Sequence, residues 1–139
     1  MQIPTRTFSL EEANQIVPQV EEAFKRFFTK RDSLERHHDA FLMEELIALR
    51  TAHVGVYDPG RHLDLEAQEL DSEVLSLASE IRAIHRLGCR VRNLDHGWVD
   101  FPGIHFGSRI FFCWRLGEKQ ITHYHTDKDL TPSRFLLRD

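Results

Sequence analysis

Two histidines in the C-terminal third, His123 and His125, have a spacing and a chemistry that suit a metal or proton-transfer site. Residues two apart in a strand point to the same face, so these two imidazoles would lie side by side. Zinc takes three or four nitrogen, sulfur or oxygen ligands, and His105 is the third histidine that we expect nearby. Asp127 or Asp129 are alternative oxygen donors. The simpler interpretation is a pair of structural histidines on an aromatic surface.

A second set of polar residues suits the recognition of a small anion. Asp100 alternates with two apolar neighbours, and Arg115 on the next predicted strand can pair with it through a charge-assisted hydrogen bond. Glu118 at a turn would complete a polar rim with Arg115 and His125. Arg134 precedes an apolar stretch whose docking would carry the arginine back to the body of the protein. The alternative is a salt bridge at the edge of a sheet and an ordinary surface arginine.

The two cysteines, Cys89 and Cys113, indicate no separate chemistry. They are far apart and form no CxxC motif, and we interpret Cys113, which stands between two aromatic residues, as a small buried hydrophobe. The chain also lacks a phosphate loop, a nucleophile elbow, an HExxH motif and a dinucleotide fingerprint. These absences favour a protein without enzymatic activity.

Apolar residues at helical spacing predict two helices that pair antiparallel. The first starts at a capping box formed by Ser9 and Glu12, and we expect one long, bent helix that ends near Ala52. The alternative is a break where its apolar stripe weakens, in residues 29–39. The second helix runs from about 64 to 87 and ends at a C-capping glycine.

After residue 88 the side-chain period changes to that of a β-strand, which predicts a small antiparallel sheet. The predicted strands are 97–101, 108–115 and 120–125, and residues 89–94 are a candidate fourth. A two-residue turn at Gly117-Glu118 would place Phe112 opposite His123 and Ile110 opposite His125. A bulge or a longer loop would shift this pairing.

The fold class that follows is α+β, a long antiparallel helical hairpin packed on a small three- to four-stranded antiparallel sheet. The 139 residues fit one domain, 1–139. It comprises the hairpin at about 9–87, a β-meander at about 89–126 and a C-terminal tail at 127–139. Aromatic residues on both faces of a sheet that one hairpin covers on a single side favour a homodimer.

Composition and charge exclude two classes of partner. A net charge of −4 argues against nucleic-acid binding, which needs a concentrated basic surface. No apolar run approaches the roughly 18 residues of a membrane span. The first residues lack the apolar core of a signal peptide, so we expect a cytoplasmic protein with reduced cysteines.

Several stretches of the chain resemble domain-of-unknown-function family 2203 of small bacterial proteins. They are FSLEEAN near the start, LGCRVRNLDHGWVDFPG after the second helix, and CWRLGEKQITHYH with a later arginine. The family typically has Val-Asp-Phe-Pro, then Cys-Trp-Arg-Leu-Gly-Glu, an aromatic-His pair and a late arginine. These features match Val99 to Pro102, Cys113 to Glu118, Tyr124-His125 and Arg134.

The resemblance implies the α+β architecture and a shared polar set, which is Asp100, Arg115, Glu118, His125 and Arg134. The family usually has tryptophan at the position of Tyr124 and no histidine at the position of His123, which counts against a His-x-His metal site. It implies no activity.

Two functions are consistent with these observations. The first is a non-enzymatic, dimeric binding or interaction module, whose small-molecule or protein partner the sequence does not name. The second is a protein that binds a small anion or a divalent metal ion, with or without catalysis at the same site. Its polar site would contain Asp100, Arg115, His125 and Arg134, and its metal would be one such as zinc. The two differ in geometry, because only the second requires these four side chains to converge.

Overall fold

The computed structural model describes residues 6–126 and 134–137. The two helices are α1 (Leu10–Thr51) and α2 (Arg61–Arg86), separated by a single 3-10 turn at Ala52–Val54. The five strands are β1 (Arg90–Asn93), β2 (Trp98–His105), β3 (Ser108–Arg115), β4 (His123–His125) and β5 (Phe135–Leu136). The α+β class is confirmed and α1 is continuous, but the sheet has five strands rather than three or four. Asp127 and Asp129 lie outside the described residues, as does most of the predicted tail.

The ends of the helices follow the local sequence signals. The Glu12 amide donates to Ser9 Oγ over 3.1 Å and the Ser9 amide donates to Glu12 Oε1 over 3.0 Å, so the capping box is confirmed. At the end of α2, Gly88 adopts a φ of 102°, which a residue with a Cβ rarely tolerates, and it terminates the helix.

The sheet is an antiparallel meander in the order β1-β2-β3-β4-β5. Its unpredicted fifth strand comes from the apolar stretch after Arg134, which was expected to dock on the body of the protein. Phe135 pairs with Tyr124, and the Leu137 amide donates to the Thr122 carbonyl over 2.8 Å. A two-residue strand is too short to carry a periodic sequence signal.

The predicted pairing of β3 with β4 was wrong by one residue. Phe111 lies opposite His125 and Cys113 lies opposite His123, because the connection is a long loop and not a two-residue turn. Beyond the Cys113–His123 pair the two strands do not pair, and side chains accept their amides instead: Glu118 Oε1 accepts the Arg115 amide over 2.7 Å and Asn14 Oδ1 accepts the Ile121 amide over 2.8 Å. A shift of one residue moves both histidines to the other face of the sheet, beside Cys113.

The chain divides into two compact units, and the first contains Met1–Lys25 and Glu80–Asp139. In this unit the start of α1 packs on one face of the sheet. Phe24 stacks on Trp114 with ring centroids 6.4 Å apart, and Phe8 meets Phe101 edge-on at 5.5 Å. All four of these side chains are buried, so aromatic packing forms the core of the unit.

The second unit, Arg26–Ser79, contains the later part of α1, the 3-10 turn and most of α2. Phe27 is its one buried residue, and many apolar side chains of the hairpin remain exposed. The exposed set includes Leu42, Met43, Leu46, Ile47, Leu49, Leu65, Val74 and Leu75. Neither helix has an apolar stretch of the length that crossing a bilayer would require, in the part of the chain that is described.

Candidate functional site

The candidate site lies on the face of the sheet opposite Phe24 and the core. Residues paired across antiparallel strands share a face, so one side carries Trp98 and Asp100 of β2 with Arg115 and Cys113 of β3. The same alternation adds Arg90, Phe111, His123 and His125. We call this side the arginine face. Asp100 and Cys113 are fully buried and His125 is 2% exposed, so the centre of this face is shielded within a single chain.

Asp100 and His125 form a direct ion pair at the centre of the arginine face. His125 Nε2 lies 2.9 Å from Asp100 Oδ2, and His125 Nδ1 lies 3.3 Å from the Thr126 carbonyl oxygen. Desolvation lowers the pKa of His125, but hydrogen bonds and charge interactions with Asp100 and Cys113 outweigh it and raise this pKa to about 10. An imidazolium can donate from both ring nitrogens, which matches the two contacts.

Two arginines of β1 converge on the same carboxylate oxygen. Arg90 Nε lies 3.4 Å and Arg92 Nη1 lies 3.2 Å from Asp100 Oδ2. The Arg90 guanidinium also lies 4.3 Å from the centre of the Phe111 ring, and that ring stacks on His125 at 5.2 Å. These contacts hold cationic groups over a buried layer of aromatic and polar side chains.

Glu118 organises a second group of charges. Its Oε1 accepts from the Arg115 amide and from Arg134 Nη2, at 2.7 and 2.9 Å, and Arg134 Nη2 also lies 3.4 Å from the Cys113 carbonyl. The Arg115 guanidinium lies 4.3 Å from the centre of the Trp98 ring. Because the Arg92 guanidinium also lies 5.5 Å from the centre of the Trp98 ring, Trp98 connects the two groups.

Four buried polar atoms of these residues have no hydrogen-bond partner among the described residues. They are Asp100 Oδ1 and three N–H donors, Trp98 Nε1, Arg115 Nε and Arg134 Nε. A buried polar atom that lacks a partner costs about 1–3 kcal/mol. The arginine face therefore has unused capacity for a ligand.

The structure brings together all five residues of the predicted polar site, in two connected groups. Asp100 contacts His125, and Arg134 contacts Glu118, which binds the backbone of Arg115. The predicted side-chain pair of Asp100 and Arg115 does not form, because Asp100 lies opposite Cys113 and its partners are Arg90, Arg92 and His125.

The predicted histidine metal set does not converge. His105 follows the alternation of β2 onto the core-facing side, where its ring contacts Tyr124 at 5.7 Å, whereas His123 and His125 lie on the arginine face. His123 Nδ1 lies 2.8 Å from Thr122 Oγ1. In the part of the chain that the structure describes, the potential metal ligands that do lie together are Asp100, Cys113 and His125.

Three residues of the site were missed by sequence reasoning, namely Arg90, Arg92 and Cys113. The signal for the arginines is their alternation with Val91 in a hairpin that leads back to Asp100, which places Arg90 directly opposite that carboxylate. Cys113 is buried as predicted, yet it faces His125 and Asp100 rather than the apolar core. That placement depends on the β3-β4 register.

Comparison with known proteins identifies one relation. The model of the family described as "Uncharacterized conserved protein (DUF2203)" matches residues 6–134. No curated protein and no solved structure matches the chain. The matched range contains every residue of the arginine face.

Proposed function

The chain belongs to this family of uncharacterised proteins, and from the geometry of its site we propose that it binds a small oxyanion on the arginine face. The ligand class is a carboxylate-type or phosphate-type anion, which guanidinium groups recognise through paired N–H donors. The observation that carries the proposal is an excess of positive charge beside unpaired buried donors.

The charges of the site do not balance. Within residues 6–126 and 134–137, four guanidinium groups and the His125 imidazolium accompany two carboxylates, those of Asp100 and Glu118, which leaves three positive charges in excess. The whole chain has a net charge of −4, so this excess is local. Partly buried cations are stabilised by a partner of opposite charge, and a bound anion would supply it.

The unpaired N–H donors would orient a bound anion, in addition to the attraction that the arginine charges provide. Trp98 Nε1, Arg115 Nε and Arg134 Nε have no acceptor among the described residues, and Trp98 is 6% exposed. An oxyanion offers several acceptor oxygens at once and would satisfy donors that a single chloride ion satisfies poorly. Selectivity for oxyanions over chloride is therefore part of the proposal.

A titration of chelator-treated protein with inorganic phosphate, sulfate and succinate tests this proposal. We expect at least one of these anions to raise Tm in a saturable manner, beyond the effect of sodium chloride at equal ionic strength. A ligand at 100 times its Kd stabilises a protein by about 2.7 kcal/mol, a shift that is readily measured. Calorimetric titration should give one site per chain.

Arg115→Ala should abolish this oxyanion-specific shift, whereas Arg109→Ala should retain it. Arg109 is a matched control, because it occupies the same strand and the same side but is exposed at the far end. Arg115→Lys keeps the charge and should weaken binding, since it lacks the planar pair of donors. Equal shifts in both alanine variants, or no shift beyond that of chloride, would contradict the proposal.

A second proposal concerns self-association, and a specific feature of the Arg26–Ser79 unit favours it. No residue from 28 to 79 is buried, although Leu46, Ile47 and Leu75 are among many apolar side chains there. A cavity of about 690 Å³ lies between the helices and is lined by apolar groups such as Leu34, Phe41 and Leu70. Two helices alone rarely form a closed core, and a second hairpin would complete a four-helix bundle.

The occupant that we propose for this surface is a second copy of the chain. The groove carries charges of both signs, including Arg31, Asp39 and Asp71, so a two-fold related copy can present complementary charges to it. The dimer interface would therefore be the hairpin and not the sheet, whose arginine face is already shielded.

Light scattering coupled to size-exclusion chromatography should return about twice the chain mass of 16.3 kDa at micromolar concentration. Leu46→Glu should shift the protein to the monomer mass, because it places a charge in the bundle core. Ile104→Glu changes a side chain of similar exposure on the sheet and should remain dimeric. A monomer mass for the unmodified protein would refute the dimer.

A further inference from the structure

Three potential metal-ligand atoms meet at the centre of the arginine face. A carboxylate oxygen of Asp100, the sulfur of Cys113 and a ring nitrogen of His125 all lie within 4.8 Å of one another. Within residues 6–126 and 134–137, this is the one such group of three. All three side chains are at least 98% buried, so this is an internal site and not a loose surface cluster.

An unsatisfied atom points independently to a ligand. Asp100 Oδ1 is buried without a hydrogen-bond partner among the described residues, although Oδ2 of the same carboxylate accepts from two arginines and His125. A carboxylate oxygen without a donor inside a protein is costly, and a cation satisfies it directly.

The identity of the donors selects the class of ion. Magnesium and calcium prefer all-oxygen sites, whereas one thiolate, one imidazole and one carboxylate suit zinc and the related divalent transition metals. Ligand atoms around a tetrahedral zinc ion with bonds of about 2.0–2.3 Å lie about 3.3–3.7 Å apart, within the 4.8 Å that encloses the three atoms here. Three protein ligands leave a fourth position open, as in zinc sites that bind an exchangeable ligand.

The neighbouring arginines are compatible with a cation here. A divalent ion would displace one proton from the His125 imidazolium and one from the Cys113 thiol, so the total charge of the cluster would not change. Arg90 and Arg92 both contact Oδ2, which leaves Oδ1 for the ion. The contact of His125 Nδ1 with the Thr126 carbonyl leaves Nε2 as the ligand atom, the arrangement typical of metal-binding histidines. Arg92 Nη1, which lies 3.0 Å from Nε2, would move aside for the ion and keep its contact with Asp100 Oδ2.

We propose that Asp100, Cys113 and His125 form a site for zinc or a similar divalent transition-metal ion. The site is independent of the oxyanion proposal, because its ligands are different atoms and it needs no anion.

Cobalt titration of chelator-treated protein, in a buffer free of oxyanions, tests this site. We expect one equivalent of Co²⁺ to bind, with thiolate-to-cobalt charge-transfer absorption in the near ultraviolet. An excess of Zn²⁺ should remove that absorption. Cys113→Ser should abolish the charge-transfer band, and Cys89→Ser should preserve it. Cys89 is the other cysteine of the chain, is equally buried and donates to the Ile84 carbonyl, so serine there is a matched control.

The metal site would be overturned if the unmodified protein showed no charge-transfer band with Co²⁺, or if the band persisted in Cys113→Ser. If the serine variant does not fold, X-ray absorption of the zinc-loaded unmodified protein decides the matter. One sulfur with nitrogen and oxygen ligands supports the site, and a shell without sulfur overturns it. Because the oxyanion titration is done without metal, failure of either proposal is recognised separately.

Discussion

Asp100→Ala will lower the free energy of unfolding by about 3–5 kcal/mol, the cost typical of breaking a buried ion pair on one side. The carboxylate is fully buried and neutralises Arg90, Arg92 and His125 through one oxygen. Its removal leaves three cationic groups around a cavity, and none of them has another carboxylate as an ion-pair partner among the described residues. Urea denaturation of chelator-treated protein at pH 7 measures the effect.

The control for this prediction is Glu22→Ala, which removes an exposed carboxylate outside the site and outside the proposed dimer interface. The side chain of Glu22 is 63% exposed and its ion pair with Lys25 spans 3.7 Å, so its removal should change stability by no more than about 0.5 kcal/mol. Asp100→Asn keeps the shape and removes the charge, so it should also destabilise the protein. If Asp100→Ala and Glu22→Ala have the same stability, the carboxylate does not organise the site.

The second large effect is a loss of stability with rising pH in the chelator-treated protein. His125 has a pKa raised from 6.5 to about 10, so the folded state holds a proton that the unfolded chain releases near pH 6.5. The stabilisation is therefore fully present below pH 6.5 and is lost as pH rises through about 10. Between those values each pH unit removes up to about 1.4 kcal/mol.

The groups that face His125 explain the direction of this shift. Asp100 and Cys113 favour the imidazolium, and the Arg92 guanidinium, 3.0 Å from Nε2, opposes it. Nitrogen-15 NMR of the imidazole should give the doubly protonated pattern at pH 8, where a free imidazole is neutral. His125→Gln should remove this part of the pH slope. A neutral imidazole spectrum at pH 8 would show that the arginines dominate.

Much of the architecture was accessible from local patterns. The capping box at Ser9 and Glu12, the apolar stripes of both helices, the glycine stop at Gly88 and the change to strand period afterwards all predict elements that the structure contains. These signals depend on neighbours within a few residues, so one sequence suffices to detect them. Membership of the site was also predicted in part, because Asp100 and His125 stand in strands of recognisable alternation.

The contact partners of Asp100 and His125 could not be predicted from the sequence, for a specific physical reason. The connection between β3 and β4 is a loop in which side chains of Glu118 and Asn14 accept the Arg115 and Ile121 amides, and β4 is shifted by one residue relative to a two-residue turn. One residue of shift reverses the face of every β4 side chain. The register therefore places His125 on the same face as Asp100 and Cys113, and on the opposite face from His105.

By itself the sequence of this protein determined its helices, most of its strands and the residue types available for a site, because these depend on short-range periodicity and capping. Only the tertiary structure decided which cationic groups contact Asp100, and only it placed Cys113 beside His125. Both sets of contacts depend on the strand register. The register is set by loop contacts and by pairing between distant residues, and such contacts produce no periodic pattern in the sequence.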